Sequence, residues 1–409
     1  MNQWLAVVGI GEAGWDELSG AAQSLVQQAT LIVGGARHLA MLPPTIQTER
    51  LSWSSPIQAT IAAILSRRGQ PVCVLASGDP MCYGIGGTLL RQVDFSEMVI
   101  LPAVSAFSLA CARMGWALNE VEQISLCGRH PALLSLLLYP GARLLILSAD
   151  RQTPAQVAQI LRERGFGASQ ITVLEHMGGV KERRIEGIAA AWSELELADL
   201  NSIALHCISA GDTAQSYSRL AGLPDAAYQH DGQLTKREVR AITLAALAPL
   251  PGQLLWDVGA GCGSISIEWL RSHPQNRAIA VESHPTRLQY LAQNAVMLGV
   301  PSLEIVGGRA PDALQGLAMP DAIFIGGGLT TEYLLEICWP ALRPGGRLVA
   351  NAVTVETEQI LFAAQQRLGG SLTRLAVQRA EPIGKFLGWK AMAPITQWTV
   401  IKNDQEMPV

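Results

Sequence analysis

The sequence predicts an α/β protein made of two dissimilar units, each built around parallel sheet. Three observations carry that prediction. Short β-branched runs alternate with longer Ala- and Leu-rich amphipathic segments along the whole chain, the rhythm of strand–helix–strand units. At about 150 residues per domain, 409 residues make two or three domains and leave ample room for buried cores. The 39 glycines gather at the ends of apolar runs, where α/β proteins build their ligand turns.

In chain order, the strands expected in the first half are WLAVVGI (4–10), ATLIVGG (29–35), PVCVLAS (71–77), MVILPA (98–103), RLLILSA (143–149), ITVLEHM (171–177) and NSIALHCI (201–208). Between Ser209 and Gln233, Gly, Pro and Asp interrupt the rhythm, and the segment reads as a linker. A fresh series follows: helix TKREVRAITLAALAP, strand QLLWDVG (253–259), a helix from Ile265, strand RAIAVES (277–283), a helix through Leu298, then strands LEIVGG, DAIFIGG and RLVANAV (347–353). This is a complete doubly wound unit. The halves share no repeated motif, so the expected division is two different folds, residues 1–208 and 233–409, joined by residues 209–232.

Composition narrows the function classes. Hydrophobic residues make up 49% of the chain, yet apolar stretches such as LLSLLLY (133–139) fall well short of the roughly 18 residues of a membrane span. The amino terminus has no Lys or Arg before its apolar run and enters a glycine turn at once, so it does not read as a signal peptide and a cytoplasmic protein is expected. A net charge of −4 offers no general attraction to nucleic acid. The seven cysteines form no CxxC pair and suit buried thiols, with no disulfide framework and no metal site. His38, His176, His206, His273 and His284 lack metal-ligand spacing and read as core or surface residues.

The sharpest signal is Asp257-Val258-Gly259-Ala260-Gly261-Cys262-Gly263-Ser264, at a strand end and a helix start. Its glycines let the backbone turn tightly and present amide donors to a ligand; read alone, the motif also fits a tight strand–helix turn with no ligand. A dinucleotide fingerprint would need G-x-G-x-x-G, and Ser264 takes the sixth position, which disfavours NAD. Glu282 ends the next strand, where a carboxylate can hold nucleoside ribose hydroxyls or stand as a solvated acid. DVGAGCGS, Glu282, GGRAPDAL, PDAIFIGGG and LRPGGRLVANAV follow in the order seen in Rossmann-like class I S-adenosylmethionine (SAM) methyltransferases, and the chain resembles them over most of residues 233–400. HDGQLTKREVR, GGRAPDAL, IFIGGG and NAVTVET narrow the resemblance to the subfamily that methylates C15 of a corrin precursor and decarboxylates its C12 acetate side chain. It implies that Thr235 and the backbone of Gly259, Ala260, Gly261, Cys262 and Gly263 contact SAM, Glu282 its ribose and Ala310 its adenine; Arg309 stands where relatives often place Asp.

In the first half, Ser77-Gly78-Asp79-Pro80-Met81 brackets an acid at a strand mouth, where Pro80 biases Asp79 toward an extended backbone; a turn-capping Asp is the alternative. GIGEAG, SGDPMCYGIG, LPAVSAFSLACARMG and ISLCGRHP together resemble the tetrapyrrole methylase family, in its branch that methylates C5 of a corrin precursor, over about residues 4–208. That resemblance implies a fold of two α/β lobes with SAM folded in the cleft. Gly9 and Gly11 would line its floor, Gly78, Asp79 and Met81 would meet SAM, and Pro102, Ala103, Val104 and Ser105 would close it. Glu12 and Ala13 replace the relatives' Pro-Gly, Thr30 replaces Asp, and Cys127 replaces the His of S-L-H-G-R.

Together the resemblances imply a bifunctional enzyme with two SAM sites. Its substrate would be a precorrin-type tetrapyrrole, methylated at C5 and C15 and decarboxylated to a precorrin-8-type product. Methyl transfer from a sulfonium needs in-line positioning more than a dedicated nucleophile, and no residue is singled out as catalytic. Substrate carboxylates would be gripped by Arg and Lys; candidates are Arg129 with His130, Lys181 to Arg184, Lys236 and Arg237, Arg309, Lys385 and Lys390, each of which also fits a solvated charge. Two rivals remain at this stage. A nucleic-acid methyltransferase fused to a separate methylase would show a basic face and an Asn-Pro-Pro-aromatic motif where IFIGGG stands. A SAM-binding sensor would bind without turnover. A homo-oligomer is expected.

Overall fold

Runs such as Leu5–Ile10 and Val72–Ser77 are apolar at almost every position, the composition of strands covered on both faces. The computed structural model, which describes residues 3–193, 196–211 and 214–403, places them so. The chain divides between Gln215 and Ser216 into two units, with residues 132–136 counted to the second.

The first unit has two lobes. In the first lobe a five-stranded parallel sheet runs in the order Glu49–Ser52, Leu31–Gly34, Val72–Ser77, Leu5–Ile10, Met98–Leu101. Leu5 and Val7 face one core with Leu31, Ile64 and Val74; Ala6, Val8 and Ile10 face the other with Val26, Ile32 and Leu75. The second lobe corrects the expectation of parallel sheet. Its order is Glu122–Ser125, Arg143–Leu147, Asn201–His206, Gln170–Glu175, Arg183–Ile188, and only the first pair is parallel. The reason is connection length: Gln170–Glu175 reaches Arg183–Ile188 through a short turn with no crossover helix, which permits antiparallel pairing alone.

The second unit carries a seven-stranded sheet in the order Glu304–Gly307, Arg277–Glu282, Leu254–Val258, Ala322–Ile325, Arg347–Ala352, Ile395–Ile401, Ser371–Leu375. The first five strands are parallel, and Ile395–Ile401 is antiparallel to both its neighbours. Leu255 packs in one core with Trp269 and Phe324, while Leu254 and Trp256 pack in the other with Ile323 and Trp398. Leu223, Ala227 and Tyr228, within the stretch read as a linker, are buried in the first of these cores. Gln378–Ile383 and Phe386–Ala391 form a separate antiparallel ribbon. Among the described residues, no helix is long and apolar enough to cross a membrane.

Candidate active sites

The strand order of the second unit reverses at its centre. From Leu254–Val258 the chain steps outward to Glu304–Gly307 and returns on the other side at Ala322–Ile325, which opens a crevice at the carboxyl ends of these neighbours. A cavity of about 1100 Å³ lies there, lined by Gly259 to Cys262 from one side and Gly326 to Gly328 from the other.

Gly259, Gly261 and Gly263 have φ of +71°, +60° and +83°. At Gly261 an added Cβ would meet nothing nearer than the Gln233 carbonyl oxygen at 3.6 Å, so backbone angle and not crowding demands glycine. The next strand pins the turn. Gly259 and Ala260 both donate their N–H to the Val281 carbonyl at 3.0 Å. Gly261 N–H donates to Glu282 Oε2 at 2.8 Å, and Glu282 Oε1 accepts from the N–H groups of Ser283 and His284, each at 2.8 Å. Beneath the turn, Asp257 Oδ2 accepts the Ser266 N–H at 3.0 Å, tying strand to helix Ser264–Ser272. Burial pushes the Asp257 carboxyl up to about 6 despite the hydrogen bonding from Ser266.

Thr235 reaches the cavity because the chain before it is anchored from behind. Arg240, fully buried, donates from Nε to Glu268 Oε1 at 2.6 Å and also to the carbonyls of Thr235 and Leu223. Glu268 accepts in addition from the N–H groups of Gly222 and Leu223, at 2.6 and 3.0 Å, and from the Tyr228 hydroxyl at 2.9 Å. Every polar atom in this apolar setting has a partner, as burial of charge requires.

Thr235, Lys236, Glu282, Arg309 and Ala310 line this cavity beside the glycine turn. Gly263 caps the helix behind it, and Arg237 and Lys385 lie outside its lining, Lys385 in the turn of the exposed ribbon. Lys390 lines it while paired with Glu381 at 2.8 Å. Arg287 and Arg379, which the sequence did not single out, line it too; they pair with Asp231 at 2.8 Å and with Glu238 at 2.6 Å.

In the first unit a cavity of about 450 Å³ lies between the lobes. Gly11, Gly78, Asp79, Val104 and Ser105 line it; Gly9, Met81, Pro102 and Ala103 do not. Gly9 sits beneath: an added Cβ would fall 2.0 Å from the Gly78 carbonyl oxygen and 2.5 Å from the Ala103 nitrogen, so three chain segments abut at that point. Asp79 Oδ1 accepts the Met81 N–H at 2.8 Å, capping its own turn while lining the cavity. Arg129 also lies outside the lining, its guanidinium 4.6 Å from the centre of the Tyr83 ring, which is part of it. Arg183 pairs with Glu175 and Arg184 with Glu186, and neither reaches the cavity.

The sequence missed a polar cluster in this cavity formed by Glu12, Arg37, His38, Ser77 and His176. Glu12 pairs with Arg37 and lies 2.8 Å from His176 Nδ1. His38 Nε2 lies 2.9 Å from Arg37 and 3.0 Å from the Ser77 hydroxyl, and burial, with the Arg37 charge, lowers this imidazole to about 4. The one available signal was Glu12, an acid in place of Pro within the first glycine turn.

The chain matches two family models: Tetrapyrrole (Corrin/Porphyrin) Methylases over residues 5–191 and Precorrin methyltransferase domain over residues 226–402. It is 46% identical over 403 residues to the precorrin-6Y C(5,15)-methyltransferase (decarboxylating) of Sinorhizobium sp., spanning 98% of this chain and 97% of that protein. It is 45% identical over 402 residues to the protein of that name from Mycobacterium tuberculosis (strain ATCC 25618 / H37Rv), spanning 98% of this chain and 100% of the relative. The crystal structure of the C-terminal domain of precorrin-6Y C5,15-methyltransferase from Rhodobacter capsulatus is 44% identical, with 46% of this chain and 100% of that domain covered and a TM-score of 0.43.

Proposed function

The chain belongs to the precorrin-6Y C(5,15)-methyltransferase (decarboxylating) family, and from that premise we propose how its two units share the work. Residues 1–208 methylate C5 of a precorrin-6Y-type tetrapyrrole, and residues 233–409 methylate C15 and remove the C12 acetate carboxyl as CO₂, with residues 209–232 between them. Each unit holds its own SAM. The observation that carries this reading is the pair of unlike glycine-turn cavities, each inside the span of a different methyltransferase family model.

The residues of the second cavity suit SAM. A carboxylate has about four acceptor sites; backbone N–H groups take three on Glu282, leaving one on Oε2 at the lip for a ribose hydroxyl. Thr235, Gly259 to Cys262 and Ala310 complete the cradle. In the first cavity Gly11, Gly78, Asp79, Val104 and Ser105 hold the cofactor, Asp79 through the oxygen that does not cap Met81. SAM supplies an electrophilic methyl on sulfonium.

The chain's part is to orient the acceptor carbon and hold the carboxylated ring. Lys236 and Arg309 line the second cavity with no carboxylate partner among the described residues, so their charges are available to substrate acetates and propionates. Arg129, stacked on Tyr83 beside the first cavity, plays the same part there. Lys385 is not brought to either cavity and is left out of the grip. Shielding an acetate from water favours loss of CO₂ over retention of the charge.

The ribbon exposes Ile383 at 65%, Phe386 at 80%, Leu387 at 73% and Trp389 at 74%, an apolar concentration that supports a homo-oligomer. The reading keeps the chain in the cytoplasm with its tetrapyrrole substrate, without a nucleic-acid or membrane partner; among the described residues no helix is long and apolar enough to cross a membrane. The test is mass spectrometry of a precorrin-6Y-type tetrapyrrole incubated with the chain and SAM. Two methyl groups gained and one CO₂ lost are expected. A product methylated once, or methylated twice with its acetate intact, refutes the reading.

A further inference from the structure

Replacing hydrogen by methyl on a ring carbon releases a proton. The carbon–methyl bond forms, the sulfur–methyl bond breaks with its electron pair going to sulfur, and the displaced hydrogen leaves as H⁺. We infer that His176, oriented by Glu12, accepts that proton in the first unit. This rests on the C5-methylating function proposed above and names a residue for it.

His176 lines the cavity from the second lobe, just past strand Gln170–Glu175; Glu12 comes from the first lobe, just past strand Leu5–Ile10. Their contact, His176 Nδ1 to Glu12 Oε2 at 2.8 Å, therefore spans the cleft. A carboxylate partner selects the tautomer with the proton on Nδ1 and leaves the Nε2 lone pair as the acceptor. Nε2 has no hydrogen-bond partner among the described residues. Glu12 is itself fixed by Arg37, so the pair has the base-and-orienter arrangement of a positioned general base.

The backbone is bent to make this contact. His176 has φ of +46°, in the left-handed region that few non-glycine residues adopt. Its carbonyl accepts the Gly179 N–H at 2.9 Å, and Gly179 lies so close to Glu12 that an added Cβ would fall 2.8 Å from the Glu12 Cβ. Strained backbone held in place at a cavity wall points to use of the side chain.

Most other titratable groups in the cavity are engaged, the Tyr83 hydroxyl with the Gln123 carbonyl at 3.4 Å. His38 Nε2 faces the Arg37 guanidinium and the Ser77 hydroxyl. Asp79 caps Met81, and the Cys127 thiol donates to the Ser148 carbonyl at 3.1 Å. Burial pushes the Cys82 thiol up, away from proton acceptance.

Three variants test the inference in the intact chain, with C5 and C15 methylation counted separately by NMR of the product. His176→Asn, a residue that tolerates positive φ, is expected to lower kcat for C5 methylation by at least about 100-fold, the typical contribution of a general base, with C15 methylation unchanged. Glu12→Gln is expected to lower kcat without raising KM. His176→Gly frees the backbone and leaves a space, so added imidazole is expected to restore C5 methylation. A wild-type C5 rate in His176→Asn, or a loss in His176→Gly that imidazole leaves untouched, overturns the inference. Absence of C5 methylation by the wild-type chain would instead overturn the function proposed for the first unit.

Discussion

Glu282→Gln separates the turn-pinning role of the carboxylate from the ribose contact proposed for it. In the native chain its oxygens accept three backbone N–H groups, from Gly261, Ser283 and His284, all at 2.8 Å. Glutamine has one carbonyl oxygen and an NH₂ that cannot accept. The best rotamer turns the oxygen to Ser283 and His284 and sets NH₂ against the Gly261 N–H. One donor then goes unpaired in a largely buried site, which destabilises the second unit by about 1–3 kcal/mol whether or not SAM is present. Loss of the proposed ribose bond is a separate effect. Giving up a charge-assisted hydrogen bond weakens SAM binding by about 1.5–3 kcal/mol, roughly 10- to 150-fold in Kd. Denaturant titration reads the first quantity and calorimetry the second, and product analysis should show C15 methylation failing at limiting SAM while C5 methylation persists. A variant with lowered stability but unchanged SAM affinity would show that Glu282 only pins the turn, and would refute its placement on the ribose.

Gly9→Ala puts a Cβ within 2.5 Å of two backbone atoms, so the first unit should be destabilised by several kcal/mol with its cavity distorted, seen as a lowered melting transition and lost C5 methylation. Arg240→Met leaves Glu268 buried without its cation; about 3–5 kcal/mol of second-unit stability should be lost, measured by denaturant midpoint, whereas a neutral result would show the network to be dispensable. Asp257 adds a pH-dependent component to second-unit stability: its folded value, raised to about 6, lies above the ordinary carboxylate value, so its contribution is full below about pH 4 and is lost as pH rises through 6. Asp257→Asn should remove that falling component from the difference between pH 4 and pH 7 midpoints; an identical difference in both proteins would contradict the assignment.

Much of the second site was legible because its signals are local. Three glycines within five residues and an acid at the end of the next strand sit side by side in any parallel pair, so sequence spacing alone brings Gly261 to Glu282. The first cavity is built otherwise. Glu12 and His176 are 164 residues apart and meet only because two lobes face each other, so His176 read as an ordinary histidine. The antiparallel edge of the second lobe was hidden for a different reason. Arg183–Ile188, with sequence RRIEGI, is an edge strand with no fully buried residue, and it lacks the apolar run that marked the parallel strands. Gly9 was noticed for its place in a glycine turn, yet its role is to let three segments touch, a constraint visible only once Gly78 and Ala103 are beside it.

Calorimetric titration of the intact chain with S-adenosylhomocysteine, the product form of the cofactor, counts the cofactor sites directly. Two sites per chain are predicted, with Glu282→Gln weakening one and leaving the other at its native affinity. A stoichiometry of one, or a single substitution that weakens every site alike, would contradict the assignment of one methyl transfer to each unit.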